Sequence, residues 1–146
     1  MNKILSFLVS AQLAYCQINP LDVEIVRDKF GVPHIFGKTD ADVAYGLAWA
    51  NAEDDFETIQ SVYLAGSSML SKRIGNKGIG ADFLSQFIGS SELFDSLYAK
   101  KISLEYKKIV EAYADGLNSY AKKYPEEILI SELFPITPKK MMLYAQ

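Results

Sequence analysis

The chain has 146 residues, of which 49% are hydrophobic and 23% charged, and its formal net charge is −3. This length suits one domain, and the composition is that of an ordinary globular protein rather than a disordered one. The mild acidic excess comes without any block of lysine and arginine. Partners that need a basic surface, namely nucleic acid and anionic membranes, are therefore excluded.

Residues 1–16 have the pattern of an export signal. Lys3 gives the chain a short positive start, and residues 4–15 are almost entirely apolar. The apolar run is shorter than the about 20 residues that a membrane-spanning helix needs, so no membrane span is expected. We interpret residues 1–16 as a signal peptide and residues 17–146 as the mature part of the chain.

The predicted cleavage point lies before Gln17. Small side chains at Ala14 and Cys16 occupy the positions that a signal peptidase inspects. The protein is accordingly expected to be periplasmic or secreted. Lipidation of Cys16 is an alternative, against which the bulky Tyr15 argues.

Two β-branched segments predict a β-hairpin early in the mature chain. Residues 23–27 (VEIVR) and 32–36 (VPHIF) flank a four-residue connection, 28–31 (DKFG), with turn-forming Asp and Gly at its ends. Because Pro33 cannot donate a ladder hydrogen bond, the second strand is expected to be an edge strand or to begin after this residue.

A long helix is predicted from about residue 40 to residue 65. Thr39 offers a hydroxyl cap to its first turn, which is rich in aspartate. At 1.5 Å per residue, the helix would be a rod of roughly 37 Å. Alanine and glycine dominate its first half and allow another backbone to approach closely, so we expect a buried spine. The larger packing residues are expected to be Val43, Leu47, Phe56, Ile59 and Tyr63.

The second half of the chain is predicted to be mainly helical. Residues 66–91 are rich in Gly and Ser and predict turns with short helical pieces, and Ser90 or Ser91 opens a further helical stretch. Ser103 is predicted to cap a helix that Pro125 closes, and Thr137-Pro138 predicts the start of another.

The helix after Ser103 has an apolar stripe at three- and four-residue steps. The stripe consists of Tyr106, Ile109, Val110, Tyr113, Leu117 and Tyr120. The charged side chains between these positions are expected to face water; they are Lys107, Lys108, Glu111 and Asp115.

The sequence offers no catalytic residue of its own. Cys16 is the single cysteine and His34 the single histidine, which excludes an intrachain disulfide, a thiolate metal cage and a zinc site built on a histidine pair. A Ser-His-Asp triad would depend on His34, which we interpret as a structural residue of the second strand. No serine lies in a Gly-x-Ser-x-Gly nucleophile motif.

Two further segments have features of ligand-binding sites. Residues 75–80 (GNKGIG) resemble a phosphate loop, but no strand precedes them and the Gly-Lys-Ser/Thr ending is missing. We interpret this segment as a mobile turn. Glu53, Asp54 and Asp55 carry oxygen donors that suit calcium. Adjacent helical positions point in different directions, however, and Glu53 and Glu57 alone make no site, so a solvated or capping role is favoured.

Four segments together resemble the penicillin acylase family of N-terminal-nucleophile hydrolases. They are residues 23–36 (VEIVRDKFGVPHIF), 42–55 (DVAYGLAWANAEDD), 113–120 (YADGLNSY) and 134–139 (FPITPK). They occur in the family's order and with its spacing, and the match extends over residues 22–146. The resemblance implies an α+β protein, with the hairpin and the mostly helical α segment of an αββα fold.

The resemblance also implies how such a protein works. The precursor is a zymogen of signal, α segment, spacer and β segment, and autocatalytic cleavage exposes a serine at the start of the β segment. The serine attacks the amide carbonyl of a small acyl amide while its own α-amine acts as base. This machinery, the substrate-binding residues and the calcium ligands of some members match no position in this chain. The implied partner is therefore the β segment of the same precursor.

Two questions stay open at the level of sequence. Residues 66–89 lack the arginine-rich pattern of penicillin G acylases and look more like the acyl-homoserine-lactone acylase branch. We expect the chain to be an inactive, truncated part of the α segment, since the helix starting at Thr137-Pro138 has barely begun at Gln146. The rival interpretation is a stand-alone secreted helical binding module without catalysis.

Overall fold

The computed structural model describes residues 18–88, residue 98 and residues 100–144. A β-hairpin, β1 (Glu24–Arg27) and β2 (Pro33–Phe36), precedes the helices. Residues 1–17 and 89–97, which include the proposed signal peptide and most of the helical stretch expected after Ser90, lie outside the described residues. The described helices are α1 (Asp40–Gly66), α2 (Leu70–Ile74), α3 (Ile79–Ile88), α4 (Leu104–Lys123) and α5 (Pro138–Tyr144).

The hairpin is confirmed, with a connection one residue longer than predicted. The strands are antiparallel, and Arg27 lies opposite Pro33, so residues 28–32 form the connection. The Asp28 carboxylate accepts hydrogen bonds from the backbone N–H groups of Phe30 and Val32. These bonds draw Val32 into the turn, while Gly31 supplies the positive φ of 84° that favours glycine.

Helix α1 begins as predicted but is not a straight rod. Thr39 and Asp42 form a reciprocal capping box at its start. The backbone of Asp55 leaves helical geometry, at φ −160° and ψ 73°, and the helix bends there. The Asp55 carboxylate accepts a hydrogen bond from the N–H of Thr58 at 3.0 Å and so caps the second half of the helix. The predicted 37 Å rod was therefore wrong.

The core lies between α1 and α4, as the small residues of α1 predicted. Ala48 and Ala52 of α1 and Ala114 and Leu117 of α4 are fully or almost fully buried in one cluster. A Cβ atom added to Gly116 would lie 2.5 Å from the carbonyl oxygen of Tyr45 and 2.7 Å from the Cβ of Ala48. The two helices therefore touch through their backbones, and α1 is a buried spine.

The absence of a side chain at Gly46 allows the hairpin to pack closely against α1. A Cβ atom at this position would lie 2.6 Å from the side chain of Ile35 and 2.8 Å from that of Val23. The expected contribution of Val43 and Leu47 to packing was wrong, since 37% and 42% of these residues are exposed. The alanine and glycine face takes the contact with α4 and the hairpin, and Val43 and Leu47 project away from it.

Two amide side chains bind the backbone of the segment after α4. Gln60 is fully buried, and its side chain donates to the carbonyl of Glu127 and accepts from the N–H of Leu129. Asn118 is half-buried and makes the same two-way pair with the backbone of Ile136, at 2.8 and 2.7 Å. These four hydrogen bonds fix the path of the chain into α5.

The close approach of α1 and α4 predicts opposite effects for two glycine-to-alanine changes. In protein expressed from the complete gene, Gly116→Ala is expected to lower the free energy of unfolding by about 1–3 kcal/mol, because the added methyl group overpacks the interface. Gly80→Ala is the control, since a Cβ there meets nothing within 4 Å. Urea unfolding should show this variant to be neutral or slightly stabilised. Equal stability of the two variants would contradict the backbone contact.

Candidate functional site

A groove runs between the N-terminal segment and the helices α1 and α4. It consists of two adjoining pockets, of about 440 and 550 Å³, which share Pro20 and Tyr45. We call the whole the hairpin groove. The first pocket is further lined by Ile18, Asp115, Asn118, Ser119 and Lys122, and the second by Val23, Ile25, Arg27, Trp49 and Glu53.

The charges of the second pocket are neutralised within the fold. The guanidinium of Arg27 lies 3.2 Å from Glu53 and 2.9 Å from Asp54, and the indole N–H of Trp49 donates to Glu53 at 2.9 Å. Hydrogen bonds with Asp54 and Glu53 raise the pKa of Arg27 above its usual value. The hairpin is thereby tied to α1 by a charged cluster at the mouth of the groove.

The three carboxylates at residues 53–55, which were considered as calcium ligands, have partners within the chain. Glu53 and Asp54 are paired with Arg27, and Asp55 caps the second half of α1. Within the part of the chain that the structure describes, no three histidine, cysteine or carboxylate side chains are grouped as a metal site. The residues do not fit a calcium ion, because a guanidinium already occupies the position of the cation. The capping role is confirmed for Asp55.

Asp115 lies in the first pocket and is partly exposed, as are Lys107 and Glu111, while Lys108 is exposed. The prediction that these four charged side chains face water is therefore confirmed in part. Burial raises the pKa of Asp115 above its ordinary value. Ile18 and Tyr45, which are far from Asp115 in sequence, line the same pocket.

An aromatic cluster lies behind the second pocket. Tyr120 makes edge contacts with Trp49 and Phe56, at ring distances of 5.4 and 5.0 Å. Its hydroxyl donates to Glu127 at 3.2 Å. Burial, together with this carboxylate, raises the pKa of Tyr120 to about 12. The phenol is therefore neutral at physiological pH and serves packing rather than proton transfer.

The single histidine lies on the hairpin. Its Nε2 is 3.6 Å from a carboxylate oxygen of Asp28, and the side chain is half-exposed. The serine hydroxyls with recorded bonds engage backbone groups or neighbouring side chains, as at Ser61, Ser85 and Ser103, and none of these bonds reaches His34. Among the described residues, Ser131 donates to the Glu132 carboxylate at 3.1 Å on an exposed turn, and no serine hydroxyl is bonded to His34.

The glycine-rich segment 75–80 is a turn only in its first four residues, since Ile79 and Gly80 begin α3, and the turn is packed rather than mobile. Gly75–Gly78 form a 3-10 turn, and Gly78 lies against the start of α2, where a Cβ atom would be 2.6 Å from the N of Ser71. The Asp82 carboxylate accepts hydrogen bonds from the backbone N–H groups of Leu70 and Ser71, at 2.7 and 2.8 Å. A carboxylate of the chain itself therefore occupies the place where an anion would bind at this helix start.

The Asp82 contact predicts a pH-dependent contribution to stability. Burial alone would raise the pKa of Asp82, but hydrogen bonds from Ser71 and Leu70 outweigh it and lower the pKa below its ordinary value. The stabilisation is therefore present above about pH 3.9 and is lost as the pH falls through the lowered pKa. Asp82→Ala is expected to destabilise the protein at pH 7 and much less at an acid pH below the lowered pKa of Asp82. Exposed Glu126→Ala is the control for urea unfolding at both pH values; an Asp82→Ala effect independent of pH would contradict the assignment.

Helix α3 turns its apolar side outward. Phe83 and Phe87 stack with a ring distance of 6.3 Å and are 68% and 79% exposed. The inward side is polar, since Asp82 binds α2 and the Ser85 hydroxyl donates to the carbonyl of Gly66. We define the α3 face as the exposed side chains Ile79, Phe83, Leu84, Phe87 and Ile88.

The alanine-rich face of α1 and the inner part of the stripe from Tyr106 to Tyr120 cover each other. The α3 face has no such cover within the described residues. The repeat of Ile79, Phe83 and Phe87 at four-residue steps was the available signal for the α3 face. Further large apolar side chains are exposed on the hairpin, among them Phe30 and Phe36.

Comparison with known proteins decides the family. A family model described as penicillin amidase matches residues 22–145. The chain belongs to the penicillin amidase family. It is 26% identical to the penicillin G acylase of Escherichia coli over 95% of this chain, and 27% identical to the acyl-homoserine lactone acylase QuiP of Pseudomonas fluorescens over 73%.

The chain corresponds to only a small share of the length of these relatives. The chain spans 18% of the length of the Escherichia coli protein and 13% of the Pseudomonas fluorescens one. In fold it is similar to a thermostable penicillin G acylase from Alcaligenes faecalis, with a TM-score of 0.72 and 21% identity over 84% of this chain and 69% of that chain. The α+β class inferred from sequence is confirmed. No helix in the described part of the chain has both the length and the apolar character to cross a membrane.

Proposed function

We propose that the chain is the N-terminal part of the α segment of an exported acylase precursor that hydrolyses linear acyl amides. The observation that carries this proposal is the penicillin amidase match over residues 22–145. The relatives named above are acylases, and the chain covers less than a fifth of their length. The role of the described residues is then to build the scaffold on which the rest of the enzyme folds.

The chemistry in this proposal comes from a serine at the start of a β segment outside this chain. The serine hydroxyl adds to the amide carbonyl and its proton passes to the serine's own α-amine. The amine of the substrate then leaves with a proton, and water hydrolyses the acyl-enzyme. Donors in an oxyanion hole stabilise both tetrahedral intermediates. Support comes from the described residues, in which the recorded serine bonds are structural and His34 is paired with Asp28.

The partner in this proposal is the β segment of the same precursor. The α3 face and the exposed phenylalanines of the hairpin support it, because large apolar patches of soluble proteins mark surfaces that bind other protein. The polar inward side of α3 is already bonded to α2 and α1. The helix therefore has no alternative orientation that would hide its aromatic residues without breaking these bonds.

The proposal has two versions, which differ in substrate: a penicillin or an acyl-homoserine lactone. The relatives include both a penicillin G acylase and acyl-homoserine lactone acylases, at nearly equal identity. The test is to express the complete gene and to measure release of phenylacetate from penicillin G and of fatty acid from long-chain acyl-homoserine lactones. Turnover of one substrate assigns the branch. Release of neither acid would count against the acylase proposal and favour a secreted binding module.

Export is the second part of the proposal. The signal pattern of residues 1–16 supports a periplasmic or secreted location. Fractionation followed by N-terminal sequencing should find a chain that begins at Gln17 outside the cytoplasm. A cytoplasmic protein that retains Met1 would contradict export without bearing on the hydrolase class.

A further inference from the structure

The outer edge of β1 carries unpaired backbone groups. The N–H of Asp28 donates to the carbonyl of Val32 at 3.1 Å, which identifies the hydrogen-bonded positions of the hairpin. Hydrogen-bonded and non-hydrogen-bonded pairs alternate along an antiparallel ladder, so the backbone groups of Ile25 and Arg27 point away from β2. Among the described residues, no recorded hydrogen bond outside the hairpin reaches the backbone of either residue. This edge is therefore free to pair with another strand.

The outer edge of β2 is blocked by a proline. Pro33 lies opposite Arg27, so its backbone nitrogen also points away from the partner strand, and it carries no hydrogen to donate. Proline at an edge position is one of the ways in which proteins prevent pairing with a further strand. The four residues of β1 include no proline. The hairpin thus has one protected edge and one open edge.

The hairpin groove runs along the open edge. In its pocket of about 550 Å³, one wall is formed by Val23, Ile25 and Arg27, and β2 contributes none of the described lining residues. The floor consists of α1 side chains at four-residue steps, namely Tyr45, Trp49 and Glu53. Paired strands lie about 4.8 Å apart, so a strand that pairs with β1 enters this groove.

The hairpin has the features of a fragment of a larger sheet. Within the described residues, the sheet has only two strands. One face of it packs on α1 at Gly46, while Val26 and Phe36 on the other face are 45% and 55% exposed. The chain spans only 18% of the length of the Escherichia coli relative, so a precursor of that size has ample chain to supply further strands.

We propose that an extended strand of the β segment pairs with the outer edge of β1 and lies in the hairpin groove. The proposal rests on the precursor part of the proposed function and is independent of the hydrolase chemistry. Backbone hydrogen bonds to Ile25 and Arg27 hold the strand, and its alternate side chains contact the floor at Trp49. Because Arg27 is already paired with Glu53 and Asp54, the side chains that enter the groove are expected to be uncharged and mainly apolar.

Residue-resolved hydrogen exchange of protein made from the complete gene tests the pairing. The amides of Ile25 and Arg27 are expected to exchange about tenfold or more slowly than the amide of Ile35, because only hydrogen-bonded amides are protected. Ile35 is the internal control, since it lies directly opposite Ile25 and its N–H points to the protected edge. Equal exchange rates for the three amides, whether fast or slow, would overturn the proposal.

A photoreactive side chain in the groove identifies the strand. In protein from the complete gene, p-benzoylphenylalanine in place of Trp49 should cross-link to a peptide of the β segment. The same replacement at the exposed Glu126 should not give this peptide. The proposal would be overturned by a cross-link only within residues 1–146, by one to a second copy of the chain, or by no cross-link at all.

The two proposals can fail separately. Acylase activity in a protein whose Ile25 amide exchanges as fast as that of Ile35 would leave the proposed function standing and overturn the strand pairing. A protected Ile25 amide and a β-segment cross-link in a protein that hydrolyses neither substrate would support the pairing and count against the acylase proposal.

Discussion

Residues 17–146 produced without the rest of the gene product are expected to hydrolyse no acyl amide and to expose apolar surface. Inactivity is expected because the proposed nucleophile lies in the β segment, and no serine hydroxyl of the described residues is bonded to the single histidine, His34. The α3 face and the hairpin phenylalanines leave large apolar side chains in water. Each such side chain forgoes roughly 1.5–3 kcal/mol of burial energy, while a whole domain is stable by only about 5–15 kcal/mol.

Dye binding and thermal melting measure this exposure directly. The isolated segment is expected to bind an apolar fluorescent dye strongly and to melt over a broad range, and addition of the β segment should suppress the dye signal. The double variant Phe83→Ser, Phe87→Ser should reduce dye binding in the isolated segment, because these two rings are 68% and 79% exposed. A sharp cooperative melt without dye binding would contradict the need for a partner and revive the binding-module interpretation.

Leu117→Ala is expected to destabilise the core strongly. Leu117 is fully buried between α1 and α4. Removal of such a side chain leaves a cavity and costs about 2–5 kcal/mol. Leu21→Ala is the matched control, because Leu21 is 93% exposed and its truncation should change stability by less than about 0.5 kcal/mol. Urea unfolding of protein from the complete gene measures both. Similar midpoints for the two variants would contradict the placement of the core.

The sequence predicted those parts of the fold that depend on local chemistry. Thr39 and Ser103 both cap the helices they were expected to cap, because a side-chain oxygen and a backbone N–H three residues on meet without help from the rest of the fold. The helix start at Thr137-Pro138 is confirmed for the same reason, since the N–H of Lys140 donates to the Thr137 hydroxyl. The β-branched segments of the hairpin are also confirmed as strands. The packing of α1 against α4 could be anticipated because only small residues permit it.

The parts that the sequence did not predict depend on contacts between distant residues. The partial burial of Asp115 depends on Ile18 and Tyr45, and no periodicity within α4 reveals them. The exposure of Phe83 and Phe87 could not be predicted from the sequence, because it depends on the hydrogen bonds between Asp82 and α2. These bonds fix which side of α3 faces inward. The bend at Asp55 arises because its carboxylate competes with the helix for a backbone N–H.

We infer that this chain is the start of an acylase precursor whose nucleophile lies in a later segment, and sequencing the reading frame beyond codon 146 tests this. The frame is expected to continue through the rest of the α segment and a spacer into a β segment that begins with serine. A stop codon immediately after Gln146 would contradict it, and the penicillin amidase fold of this chain would then serve a function other than amide hydrolysis.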